Sequence, residues 1–244
     1  MQEKLSREVQ KRLDDVRANY FEILENISRA AEGAGRQAGD ITFLAATKTV
    51  EPSVINYAVS LGLRYIGENK VQELLSKYDE YDLENCDLQF IGHLQSNKVR
   101  QIIDKVSLIQ SVDSFKLANE ISKQSVKNNI TSNILIEVNI GREENKSGVF
   151  EENLEELLCQ ISGLEGISVK GLMTIPPICE EKCKISKYFY NMHKLFIDIS
   201  EKKLDNVCMT ILSMGMSEDF CEAIIEGANM VRIGSALFGA RKYT

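Results

Sequence analysis

Proline is scarce in this sequence, with three residues in 244, and no stretch rich in glycine, serine and proline reads as a linker. A chain of this length without a visible linker is expected to form one domain over residues 1–244. Net positive charge is lacking too. The formal charge of −7 supplies no global field to gather nucleic acid or anionic lipid, so neither is an expected partner. No apolar run is long enough to span a bilayer, and Met1-Gln2-Glu3-Lys4 leads into a charged helical pattern rather than a secretory signal. The expected location is the cytoplasm. Six cysteines, at 86, 159, 179, 183, 208 and 221, are too scattered for a disulfide framework. Cys179 and Cys183 have a metal-like spacing, but no second pair accompanies them, so reduced thiols and no metal are expected. Internal repeats and low-complexity segments are absent as well.

What remains is an ordinary globular composition, 43% hydrophobic and 27% charged. Leu5, Val9, Leu13, Val16, Tyr20, Ile23 and Ile27 recur at steps of four and three. That spacing predicts an amphipathic helix within residues 1–36, ended by Gly33 and Gly35 and packed on the domain. Apolar, β-rich runs then alternate with helical patterns. The strands are expected at Ile41–Ala46, Tyr65–Gly67, Leu88–Gly92, Ser107–Ser111, Asn133–Asn139, Ser168–Met173, Cys208–Ser213 and Met230–Ile233. The helices are expected near Pro52–Leu61, Lys70–Lys77, Asn97–Lys105, Ser114–Lys127, Glu151–Ser162, Glu181–Lys203 and Ser217–Gly227. Repeated βαβ units favour a (β/α)8, TIM-like barrel with an extra N-terminal helix. The rival is an open doubly wound sheet. It would want a glycine-rich phosphate turn after the first strand, where Thr47-Lys48-Thr49-Val50-Glu51-Pro52 has no glycine.

In a barrel the chemistry gathers at the carboxyl ends of the strands. Lys48 stands there on the first strand. Desolvation at such a position favours the neutral amine, a nucleophile for carbonyl groups. Alternatively it is a surface charge. Strand seven ends in Leu212-Ser213-Met214-Gly215-Met216-Ser217-Glu218-Asp219, with Ser217 read as an N-cap. Strand eight gives Val231-Arg232-Ile233-Gly234-Ser235. Loops after strands seven and eight are the usual phosphate cradle of this fold, though a capped loop is the plainer reading. Arg232 is embedded in an apolar strand and needs a partner: a salt bridge, or an acceptor on a bound ligand.

Seven runs carry a resemblance. They are Leu44-Ala45-Ala46-Thr47-Lys48-Thr49, Ile66-Gly67-Glu68-Asn69, Phe90-Ile91-Gly92-His93-Leu94-Gln95-Ser96-Asn97-Lys98, Val138-Asn139 with Lys146-Ser147-Gly148, Gly171-Leu172-Met173-Thr174-Ile175-Pro176-Pro177, Leu212-Ser213-Met214-Gly215-Met216-Ser217 and Val231-Arg232-Ile233-Gly234. In this order they resemble the pyridoxal-phosphate homeostasis proteins of the YggS/PROSC type. The resemblance implies a barrel like the alanine racemase N-terminal domain, with pyridoxal 5′-phosphate (PLP) bound through its aldehyde to Lys48. It implies phosphate contacts from Ser213, Met214, Gly234 and Ser235, and a pyridine contact from Arg232. Asn69 and Met173 match runs that line the same mouth. The family often has Trp-His before Phe-Ile-Gly, where Leu88 and Gln89 stand here.

Racemase-like enzymes add a C-terminal β domain that supplies a tyrosine as second acid/base, and this sequence stops at Thr244, soon after the eighth strand. An arginine at the ring nitrogen also disfavours its protonation and weakens the ring as an electron sink. The expected role is therefore a PLP-binding protein with no catalytic residue. It would limit free PLP, pass it to apo-enzymes, and act as a monomer. A PLP-dependent racemase-like enzyme is the alternative, with His93 as its candidate base. A barrel that binds a plain phosphorylated metabolite without a Schiff base is a third reading. His193 falls among Tyr190 and Phe196 on a helix and reads as surface or core.

Overall fold

A computed structural model describes residues 2–178 and 182–239. Among these residues, eight parallel strands close in sequence order into a barrel. They are β1 (Thr42–Ala46), β2 (Tyr65–Glu68), β3 (Asp87–Phe90), β4 (Leu108–Val112), β5 (Ser132–Glu137), β6 (Ile167–Met173), β7 (Val207–Ser213) and β8 (Met230–Ile233). Parallel strands covered on both faces have no solvent side, and all five residues of β4 are buried. Closure is made by β8 against β1, with Thr42 opposite Met230 and Leu44 opposite Arg232. This closed order excludes the open doubly wound sheet.

The outer layer is α2 (Pro52–Ser60), α3 (Val71–Lys77), α4 (Phe115–Lys127), α5 (Glu151–Ser162), α6 (Lys182–Ser200), α7 (Phe220–Ile225) and α8 (Ser235–Phe238). Ahead of the barrel runs α1 (Gln2–Gly33). It buries Val16, Tyr20, Ile23, Ile27, Ala30 and Ala31, each large side chain being worth on the order of 1.5–3 kcal/mol. Tyr20 stacks on Phe43 of β1 with ring centroids 6.0 Å apart. Val9 is half exposed, so the packed stripe starts later than the sequence pattern does. At its C-terminus Gly35 takes φ 69°. Arg36 N–H then bonds Ala31 O and Gly35 N–H bonds Glu32 O, a Schellman closure. The Arg36 guanidinium donates to the carbonyls of Ala228 and Ile224, which ties this end to α7.

Two expected helices differ. The Asn97–Lys105 segment is a 3-10 helix at Ser96–Gln101 followed by turns. Val99, Ile102 and Ile103 are buried, and Ile102 N–H bonds back to Val99 O at 3.1 Å, winding the chain with fewer residues per turn than an α-helix. The Ser217–Gly227 helix starts only at Phe220, because Asp219 Oδ1 accepts from Met216 N–H at 2.6 Å and holds residues 216–219 as a turn. In the Glu181–Lys203 segment the described helix runs Lys182–Ser200. Glu181 and Cys179 lie outside the described residues.

The lumen is filled. Leu44, Ile91, Leu108, Leu135, Met173 and Met230 form its apolar cluster, as expected for a packed barrel rather than a pore. At the upper rim the backbones after β2 and β3 touch: a Cβ on Gly92 would lie 2.1 Å from the carbonyl oxygen of Asn69. Gly92→Ala is therefore expected to destabilise the protein by about 1–3 kcal/mol or more, read as a lower midpoint of thermal unfolding. An unchanged midpoint would mean that the two loops do not pack this closely.

Candidate functional site at the barrel mouth

All the strands end at one face, so the residues just beyond them form a ring. Lys48 stands two residues past β1 and is half-buried. Its turn is held on both sides. Thr47 is fully buried, and its Oγ1 donates to Glu68 Oε1 at 2.9 Å and to Gly67 O at 3.1 Å. Lys77 Nζ donates to Thr47 O at 3.1 Å. On the far side Thr49, at φ 64°, donates its N–H to the Glu73 carboxylate. One strand over, Asn69 is half-buried, and its side-chain Oδ1 is buried with no hydrogen-bond partner among the described residues.

Arg232 is 4% exposed at the end of β8. Its Nη1 donates to Ser213 Oγ at 2.6 Å and its Nη2 to Thr174 O at 2.8 Å. Thr174 is itself fixed, since its Oγ1 donates to Val138 O at 2.7 Å. The chain of contacts continues inward. Ser213 Oγ donates to Gln110 Oε1 at 2.7 Å, and Gln110 Nε2 donates to Gln89 Oε1 at 2.7 Å. Thus a polar seam crosses the apolar lumen and ends on the guanidinium. Burial lowers the Arg232 pKa to about 10, against the pull of Glu137 and Asp219. It stays cationic at neutral pH. Among the described residues no carboxylate lies within ion-pair distance of it. The salt-bridge reading of Arg232 is thereby set aside in favour of neutral oxygen acceptors.

Glu137, at the end of β5, is buried and accepts from Ser147 Oγ at 2.8 Å. Burial raises its pKa. The Ser147 bond opposes this, Asp113 adds to it, and Arg232 and His93 oppose it. Asn139 pins the following loop: its Nδ2 donates to Glu143 O at 2.8 Å, and its Oδ1 accepts from Glu143 N–H at 3.1 Å.

The loops after β7 and β8 meet at the rim. Gly215, at φ 92°, turns the chain, and a Cβ there would lie 2.6 Å from Ala223 Cβ. Arg232 N–H bonds Gly215 O at 3.0 Å. Ser217 Oγ accepts from the N–H groups of Gly234 and Ala236, each at 3.2 Å. Here the structure departs from the sequence reading. Ser217 caps the start of α8, not the helix that follows it in sequence. Its hydroxyl sits where amides converge on an oxygen, and sequence reasoning did not assign it to a ligand.

The other expected residues sort as follows. Gly234 and the exposed Ser235 are at the rim, and Met173 is buried in the lumen beneath it. The Ser213 hydroxyl lies below Arg232, fully buried, with Gln110 and Arg232 already its partners. Met214 buries its side chain in the layer between barrel and helices and donates its N–H to Met230 O. The reason is register: the strand ends at Ser213, so serine faces the lumen and methionine the helices. Both residues thus have partners within the barrel at the foot of the site. Gln89 and Gln110 were missed. The available signal was a glutamine at a lumen-facing position of two adjacent strands. His93 is exposed at the rim, while His193 packs against Gly227, whose Cβ would lie 2.6 Å from its Nδ1. Among the described residues no three of His, Cys, Asp or Glu converge on a metal position, and no helix is long and apolar enough to cross a membrane.

The chain matches the family model described as alanine racemase, N-terminal domain, over residues 20–242. It is 48% identical over 223 residues to a pyridoxal phosphate homeostasis protein of Aquifex aeolicus, covering 91% of this chain and 96% of that one. A crystal structure of an unknown protein from Bifidobacterium adolescentis superimposes with a TM-score of 0.89 at 34% identity, over 93% and 96% of the two chains. PipY of Synechococcus elongatus PCC7942, solved with PLP bound, matches with a TM-score of 0.77 at 29% identity, over 87% of this chain and 100% of that one.

Two predictions follow from the geometry. Ser213→Ala strands a donor on Arg232 and an acceptor on Gln110, and should cost about 1–3 kcal/mol in denaturant unfolding. No loss would mean that the seam is not formed. A carboxyl with a raised native pKa favours folding while protonated, and that contribution is lost as pH rises through the raised value. Stability should therefore fall from about pH 4.5 upward by a component that Glu137→Gln removes, measured as unfolding midpoint against pH. Parallel curves for the two proteins would contradict it.

Proposed function

Since the chain belongs to the pyridoxal phosphate homeostasis proteins, built on the alanine racemase N-terminal domain, we propose that it binds PLP as a Schiff base on Lys48. One observation carries the reading. The β8–β1 pairing sets Gly234 against Ala46, with a Cβ at 234 falling 3.2 Å from Ala46 O, so the Lys48 turn and the α8 amides share one corner of the mouth. The residues present fit the cofactor. The N–H groups of Gly234 and Ala236 already converge on an oxygen, and Ser217 and Ser235 add hydroxyls, which suits a phosphate. Arg232 presents a buried, cationic donor suited to the pyridine nitrogen. The orphaned Asn69 Oδ1 offers an acceptor, and Met173 an apolar floor. PLP supplies a reactive aldehyde, and the chain supplies the amine, the anion cradle and the ring contact.

The function is holding and metering this aldehyde, with transfer to apo-enzymes, by a monomeric cytoplasmic protein whose 244 residues act as one PLP-binding unit. The curated relatives carry a homeostasis protein's name, not an enzyme's. An arginine at the ring nitrogen also fits storage better than carbanion chemistry, because it keeps the ring a poor electron sink. Cys86, Cys159 and Cys208 are free thiols, which suits a reducing compartment.

Purified protein incubated with PLP should become borohydride-reducible, with a pyridoxyl mass on the peptide containing Lys48. Lys48→Ala should show no such label. A label on another lysine, or an equal label in Lys48→Ala, would overturn the assignment.

A further inference from the structure

The described residues place a buried group of three charges directly behind the Lys48 turn. Lys77 Nζ lies 3.0 Å from Glu68 Oε1 and 2.6 Å from Glu73 Oε1. The Glu68 side chain is fully buried, and those of Lys77 and Glu73 are 12% and 18% exposed. Tyr81 OH donates to Glu68 Oε1 at 2.7 Å, and Thr47 Oγ1 donates to the same oxygen. Burial and then the Glu68 charge push the Tyr81 pKa up, so the phenol stays a donor. Buried charges are a poor route to stability alone, since apolar side chains of similar volume often serve as well. Something else accounts for them here. Lys77 also donates to Thr47 O, and Glu73 also accepts from Thr49 N–H. The two peptide groups flanking Lys48 are thus gripped by one rigid ion group. The grip has a task, because Thr49 is a β-branched residue in the left-handed region, a conformation that persists only when its surroundings impose it.

We propose that Glu73 and Lys77, on α3, are positioning residues that hold the Lys48 turn so that its amine meets the PLP aldehyde in one orientation. The proposal rests on the reading that Lys48 forms the Schiff base. In that step the Lys48 amine attacks the aldehyde carbon, the carbon–nitrogen bond forms, and the carbonyl oxygen leaves as water. A misdirected amine slows this step without removing the phosphate cradle across the mouth.

The test separates geometry from charge at one position. Glu73→Gln keeps the side-chain length and an acceptor for Thr49 N–H but loses the charge. Glu73→Asp keeps the charge but withdraws the carboxylate by one methylene. Two quantities are measured: the rate of borohydride-trappable imine formation after mixing apo-protein with PLP, and amide hydrogen exchange at Thr49 in the apo-protein. The proposal expects Glu73→Gln to stay near native in both. It expects Glu73→Asp to form imine about tenfold more slowly, with a less protected Thr49 amide. The opposite order, with Asp native-like and Gln slow, would assign the group an electrostatic role and overturn the proposal. Native behaviour in both variants would overturn it too. Failure of the native protein to trap PLP on Lys48 would reject the underlying reading itself, a result distinct from any difference among variants. If neither variant folds, Lys77→Arg, which keeps the charge but displaces the donor to Thr47 O, must slow trapping or the proposal fails.

Discussion

The site depends on the pairing of β8 with β1. Residues 42–45 and 230–233 come from opposite ends of the chain, and their register decides what faces what across the mouth. With Leu44 opposite Arg232, the chain leaving β1 rises beside the chain leaving β8. Gly234 then lies against Ala46, two residues before Lys48. A one-residue slip would turn Arg232 out of the lumen and strand its charge among the helices. The bulky layer beneath, with Leu44, Met173 and Met230, fixes that register by filling the barrel.

A second constraint is the burial of Arg232. A guanidinium in an apolar lumen is tolerable only when its donors are satisfied. The chain meets this with a hydroxyl and a backbone carbonyl rather than with a carboxylate. The cost is a polar seam of Ser213, Gln110 and Gln89 through the barrel, at positions that packing alone would give to aliphatic residues. Opposite it, Thr47, Glu68, Glu73 and Lys77 do for the Lys48 turn what the seam does for Arg232.

Much of this was legible in the sequence. The strands were, because buried parallel strands are written as short continuous apolar runs, and Leu108-Ile109-Gln110-Ser111-Val112 is one with all five residues buried. Lys48 and Arg232 were legible as charges at strand ends. What was not legible is which way polar residues point when a strand stops. Ser213 and Met214 sit in a run that reads as a phosphate loop, yet one faces the lumen and the other the helices. Ser217 read as the cap of its own helix, whereas its hydroxyl serves α8, a tertiary contact that no local pattern encodes. The helix expected over Asn97–Lys105 failed for a related reason. Burial of Val99, Ile102 and Ile103 was satisfied by a tighter winding, which the same spacing permits.

The most direct test of the account is a crystal structure of the protein reconstituted with PLP. The account predicts continuous density from Lys48 Nζ to the cofactor, the phosphate against the amides of Gly234 to Ala236, and the ring nitrogen at Arg232. A cofactor seated elsewhere, or seated here without a bond to Lys48, would contradict it.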